Sequence, residues 1–197
     1  LRFVRTAVKN RRAMKNYDFS KNFRVRYDQA VKAYAEGKRS ADALFANDDK
    51  AFLAANGLTA QHLYDYAEDH NNHEGEPGFE LALSIELVRR DYFLNAQHGK
   101  PSGSTLDEAR LPAKTDAILG IEWLPRLIPK AKAKLRGELP ASLMYCCGGD
   151  RRFFKRHDIH AAEFLSLIWR HFDNERAIID WVYQRSAAVS QPDEALR

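Results

Sequence analysis

Cysteine is nearly absent from this chain. There are two in 197 residues, and they are adjacent, Cys146-Cys147. Neighbouring cysteines exclude an ordinary disulfide framework, which fits a reducing compartment and an expected cytoplasmic location. Long apolar runs are missing too. Nothing approaches the roughly 20 residues of a membrane-spanning helix, and no secretory hydrophobic segment is visible. Charge of one sign is also lacking: 31 Lys and Arg stand against 27 Asp and Glu, a net +4. That balance excludes a global polyelectrolyte surface. With no helix-turn-helix, zinc-finger or sheet-based RNA module in view, nucleic acid is not an expected partner.

What is present is material for a core. Hydrophobic residues make up 45% and aromatics 11% of the chain. The length suits one ordinary domain or two small ones. Apolar residues recur at helical spacing over residues 22–36, where Phe23, Tyr27, Ala30 and Tyr34 share a side and Gly37 is the stop. Asp48 and Asp49 are placed to cap a short helix through Ala55, and Thr59 to cap the next, which ends near His70. Pro77 opens a long helix to about Gln97. Residues 118–124 form a short apolar element, Pro125 opens a helix stopped by Gly137, and Asp150 is placed to cap a helix through Arg156. A helix over residues 160–171 and one capped by Asn174 complete an all-α expectation with no convincing strand; only Tyr145-Cys146-Cys147 reads as extended.

The stretch Gly149-Asp150-Arg151-Arg152-Phe153-Phe154 has an echo. Asp49 aligns with Asp150, Phe52 with Phe153, Leu58 with Ile159 and Leu63 with Phe164. With one slip in the intervening turn, Ala33 meets Ala133, Gly37 meets Gly137 and Phe45 meets Tyr145. The shared order of helix, glycine stop, turn and aspartate suggests two related helical lobes and an internal duplication. The corresponding division is a basic arm over 1–16, a first lobe over 17–99, a linker over 100–112 and a second lobe over 113–190. The arm carries Arg2, Arg5, Lys9, Arg11, Arg12 and Lys15 with no acid, and is a candidate docking segment for a protein partner.

Trp123-Leu124-Pro125-Arg126-Leu127-Ile128, Lys130-Ala131-Lys132-Ala133 and Gly149-Asp150-Arg151-Arg152-Phe153-Phe154 followed by Ile159 carry a likeness to a known family. Over residues 113–188 the chain resembles the bacterial family called domain of unknown function 5069. The resemblance implies a soluble bacterial protein with a helical fold. It implies no catalytic residue.

Three constellations could carry chemistry. His70 and His73 share a helix face in an acidic setting and, with Glu76 or His98, could hold a divalent metal; the alternative is a helix-end histidine, since His171 stands where His70 does in the echo. Gly149, Arg151 and Arg152 at a helix start could hold a phosphate or carboxylate, or Asp150 could fill that end itself. Cys146 or Cys147 among cationic neighbours is a candidate nucleophile, with His157 or His160 as base, against the plainer role of a small core residue. Lys130, Lys132 and Lys134 read as a solvated surface. The expected function is therefore binding, either of a protein partner or of an anionic small molecule. The alternatives are an enzyme on an anionic small molecule between the lobes and an accessory subunit of a larger complex. An enzyme should gather residues of both lobes around one pocket, whereas a binder should expose a patch.

Overall fold

The aromatic stripe of the first helix shows how the chain builds its core. Phe19, Phe23, Tyr27, Ala30 and Tyr34 recur at intervals of three and four, so they fall on one face, and all are buried. The computed structural model describes residues 16–190, and the basic arm, apart from Asn16, lies outside them. Among the described residues are eight α-helices: α1 (Phe19–Ala35), α2 (Asn47–Ala55), α3 (Ala60–Asn72), α4 (Phe79–Asn95), α5 (Leu124–Arg136), α6 (Gly148–Arg156), α7 (Ala161–Arg170) and α8 (Glu175–Ser190). The protein is all-α. No helix among the described residues is long and apolar enough to cross a membrane.

The residues marked as stops act as stops. Gly37 and Gly137 both take left-handed backbone, at φ 93° and 71°. In each case the next amide reaches back to the final turn, Lys38 to the Ala33 carbonyl and Glu138 to the Ala133 carbonyl. α2 and α6 end alike as well, with Leu58 bonding the Leu53 carbonyl and Ile159 the Phe154 carbonyl. Thr59 accepts from the His62 amide at the head of α3. Asn174 does the same for α8 from Ala177. At the head of α7, His160 Nδ1 accepts from Ala162 N–H.

The two short helices start differently from expectation. α2 begins at Asn47, with Asp48 and Asp49 inside its first turn rather than at the cap. α6 begins at Gly148, and its N-cap is Cys147, which makes no side-chain capping bond. Asp150 is drawn elsewhere, as described below. The short apolar element is a minimal hairpin: β1 (Ala117–Ile118) pairs antiparallel with β2 (Ile121–Glu122). Its two linking residues, Leu119 and Gly120, both have positive φ, the geometry a two-residue hairpin turn requires. Tyr145-Cys146-Cys147 is a turn, with Cys146 at φ 68°.

Two apolar clusters form. One gathers α1, α2 and α3 around Phe23, Leu53, Leu63 and Tyr66; the other gathers α5, α6, α7 and α8 around Leu127, Phe154, Phe164 and Ile178. α4 serves both, placing Ala82 in the first and Ile85 in the second. The long helix assigned by sequence to the first lobe is thus a shared wall. Burying one helix on two sides removes more apolar surface from water than a hinge would, at about 25 cal/mol per Å².

Candidate functional site

The seam between the halves is polar at its centre. Glu86 on α4 is completely buried. Its Oε1 accepts from Lys134 Nζ at 2.6 Å and from the Tyr66 hydroxyl at 2.8 Å, so α3, α4 and α5 meet on one oxygen. Burial alone would raise this carboxyl. The Lys134 ammonium, with smaller help from the Tyr66 hydroxyl, more than offsets it, and the group stays below its ordinary value. His62 lies 4.0 Å from the other carboxylate oxygen. Burial, reinforced by Lys134, pulls its imidazole down to about 3, so it is neutral at physiological pH.

A second charged group lies beside the first. Asp150 is fully buried and takes three donors: Lys130 Nζ at 2.7 Å, Trp123 Nε1 at 2.9 Å and the Cys146 amide at 2.8 Å. This is why it does not cap its own helix. Burial draws the Lys130 ammonium down, but Asp150 and then Cys147 outweigh it, leaving Lys130 above its ordinary value. The Trp123 ring lies over Gly149, where a Cβ would sit 2.4 Å from the indole. Glycine is required there by the close approach. Pairs buried to this depth add little net stability compared with apolar residues, yet losing one partner costs about 3–5 kcal/mol. The Lys134–Glu86–Tyr66 group therefore specifies how α5 meets α3 and α4 across the seam, and the Lys130–Asp150 pair how α5 meets α6 within the second half.

Around this core opens a cleft of about 340 Å³. One wall is α3, with Asp65, Glu68 and Asp69; the other is α5 and α6, with Trp123, Arg126, Lys130, Cys147, Gly149 and Arg152. Lys114 stands at the same opening. Arg126 is held by the Pro112 carbonyl and faces Glu108 at 3.5 Å. Lys114 and Arg152 have no carboxylate partner among the described residues. Asp65 accepts from Gln61 at 2.6 Å, yet burial pushes its carboxyl up to about 7. A larger cleft of about 470 Å³, floored by Leu81, Phe154 and Ile159, is more apolar; its cations Arg151 and Lys155 are already paired with Glu76.

The residues singled out from sequence divide sharply. Arg151 is not free to hold an anion: it bonds Asp69 at 2.7 Å and the Cys146 carbonyl at 2.8 Å, and it pairs with Glu76. Arg152 and Gly149 do line the cleft. Cys146 is completely buried, and burial pushes its thiol up to about 12, so it is a core residue rather than a nucleophile. His157 bonds Ser186 at the far end of α6, roughly 13 Å along a nine-residue helix from the cysteines. Those two do not form a catalytic pair.

His70, His73 and Glu76 do not converge either. His70 meets the Tyr27 hydroxyl, His73 faces Asp69, and Glu76 is taken by Arg151 and Lys155. Among the described residues no group of three or more His, Cys, Asp or Glu is placed to hold a metal ion.

Sequence reasoning missed the cleft residues Lys130, Asp65 and Trp123 and, at the buried seam behind them, Lys134 and Glu86. A signal existed for the lysines. Lys130 and Lys134 are one turn apart and share a face, and both are buried, while Lys132 is partly exposed, pairing with Glu175 and lying over the Phe172 ring. The three lysines therefore do not form one solvated surface. Neither a family model, nor a curated protein, nor a solved structure matches this chain.

Proposed function

We propose that this chain binds a small anionic molecule in the cleft between its halves. The observation that carries the reading is the pair of cations, Arg152 and Lys114, at one cleft opening without a carboxylate partner among the described residues. Arg126 and the open N-terminus of α6 add positive potential to the same wall. Asp65, Glu68 and Asp69 opposite would repel a purely anionic ligand at close range, so the occupant that fits carries hydrogen-bond donors or a positive group on its other side. Residues of both halves around one concavity favour a small molecule over a flat partner surface. The matched helix ends at Gly37 and Gly137, and at Leu58 and Ile159, support an origin of the halves by duplication, with the cleft formed where they meet.

Calorimetric titration with inorganic phosphate and with small carboxylates bearing an amino or hydroxyl group tests this. Binding of at least one, weakened tenfold or more in Arg152→Ala and unchanged in Lys32→Ala, is the expected result. Equal affinity in both variants would place the anion elsewhere.

A further inference from the structure

A smaller chamber adjoins the cleft. Asp65, Leu143 and Met144 line both, and the chamber holds about 50 Å³. His62 lines that chamber with its side chain 10% exposed, and its Nδ1 has no hydrogen-bond partner among the described residues. Glu86 Oε2, 4.0 Å away, is likewise unpartnered. Buried polar atoms in native proteins nearly always have partners, so His62 Nδ1, on the chamber wall with Glu86 Oε2 behind it, indicates where a bound molecule completes the bonding.

Cys147 lines the outer cleft itself. Its Sγ accepts from Lys130 Nζ at 3.3 Å. Lys130 is 2% exposed and is fixed by Asp150, so the ammonium cannot swing away. Cys147 is also the N-cap of a nine-residue helix, where the helix dipole favours negative charge. Its neighbour Cys146 has neither feature and is buried.

We propose that Cys147 is a nucleophile serving the cleft, and that its substrate is a small carbon electrophile bearing an anionic group. The sulfur forms a bond to the electrophilic carbon, the leaving group departs with the bonding electron pair, and the thiol proton passes to water in the open cleft. Lys130 stabilises the negative charge that the sulfur must carry to attack. Arg152 holds the anionic group, and the chamber with His62 accommodates the polar far end. The proposal rests on the anion-binding reading of the cleft for its substrate class, but not for the activation of the sulfur.

Alkylation kinetics separate the two. Neutral iodoacetamide and anionic iodoacetate are compared at neutral pH, with the modified residue located by peptide mass mapping; in each case a sulfur–carbon bond forms and iodide leaves. In the folded protein Cys147 should react several-fold faster than in the urea-unfolded chain, while Cys146 reacts only on unfolding. The double variant Lys130→Met with Asp150→Asn, which removes both buried charges together, should slow Cys147 about tenfold. Cys147 reacting no faster folded than unfolded overturns the proposal whether or not the double variant folds. A folded double variant with unchanged rate overturns it too. The preference for iodoacetate over iodoacetamide should exceed that of free cysteine about fivefold and vanish in Arg152→Ala. If the folded-state rate holds and this preference is absent, the anion-binding reading fails and Cys147 is left as the nucleophile for a neutral electrophile.

Discussion

Replacing Asp65 by Asn should stabilise the protein, and only above mildly acidic pH. The Asp65 carboxyl sits at about 7 in the folded chain, against 3.8 when free. Burial is the main cause, partly opposed by the Gln61 hydrogen bond and Lys134. The folded state therefore holds a proton that the unfolded chain has released, and stability falls with pH across that window. The shift is roughly three units at 1.36 kcal/mol each, a total of about 4 kcal/mol as an upper value. Asparagine keeps the oxygen that accepts from Gln61 and has no proton to lose. Wild type and variant should nearly coincide near pH 4. Their difference should then grow by about 1.4 kcal/mol per pH unit and level off above pH 7. Urea denaturation at half-unit pH steps measures this. A difference that is constant with pH would refute the reasoning, because it would show a packing effect and no titration. His62 supplies an internal contrast. Its imidazole is lowered from 6.5 to about 3, so it contributes stability that is present above 6.5 and lost as pH falls through 3. His62→Gln should therefore diverge from wild type on the acid side, opposite to Asp65→Asn.

Asp150→Asn leaves the Lys130 ammonium buried without its carboxylate and should lower stability by about 3–5 kcal/mol in urea denaturation. Adding Lys130→Met should restore much of the loss, and a loss equal to the sum of the single variants would show that the two residues do not interact. Gly149→Ala sets two effects against each other. Alanine favours a helix by up to about 1 kcal/mol. Its methyl would stand 2.4 Å from the Trp123 ring, and forcing that ring aside costs about 1–3 kcal/mol. The clash should prevail, giving a less stable protein with altered tryptophan fluorescence; a stabilised variant would mean the indole moves freely.

The helices were legible because they rest on local rules. The Phe23 to Tyr34 stripe repeats at helical spacing, although the helix starts three residues earlier than expected, at Phe19, and Gly37 and Gly137 are the residues a left-handed stop admits. Thr59 and Asn174 bond the amides their positions select. Asp150 shows where local reasoning ends. By sequence it is a good cap, but capping competes with an ammonium, an indole N–H and a turn amide brought from residues up to 27 positions away. Lys130 and Lys134 fail the same way. A lysine faces water by default, and only the placement of Asp150 and Glu86 makes burial affordable.

By itself, then, the sequence determined the all-α class, most helix limits and the matched stops of the two halves, since periodicity, caps and glycine act within a turn or two. The tertiary structure decided that α4 is a wall common to both halves, that Arg151 is consumed by Asp69 and Glu76, and that Cys147 rather than Cys146 faces the cleft. Those outcomes depend on which charges meet across the seam, and that is set by contacts between residues far apart in the chain, where no local spacing records them.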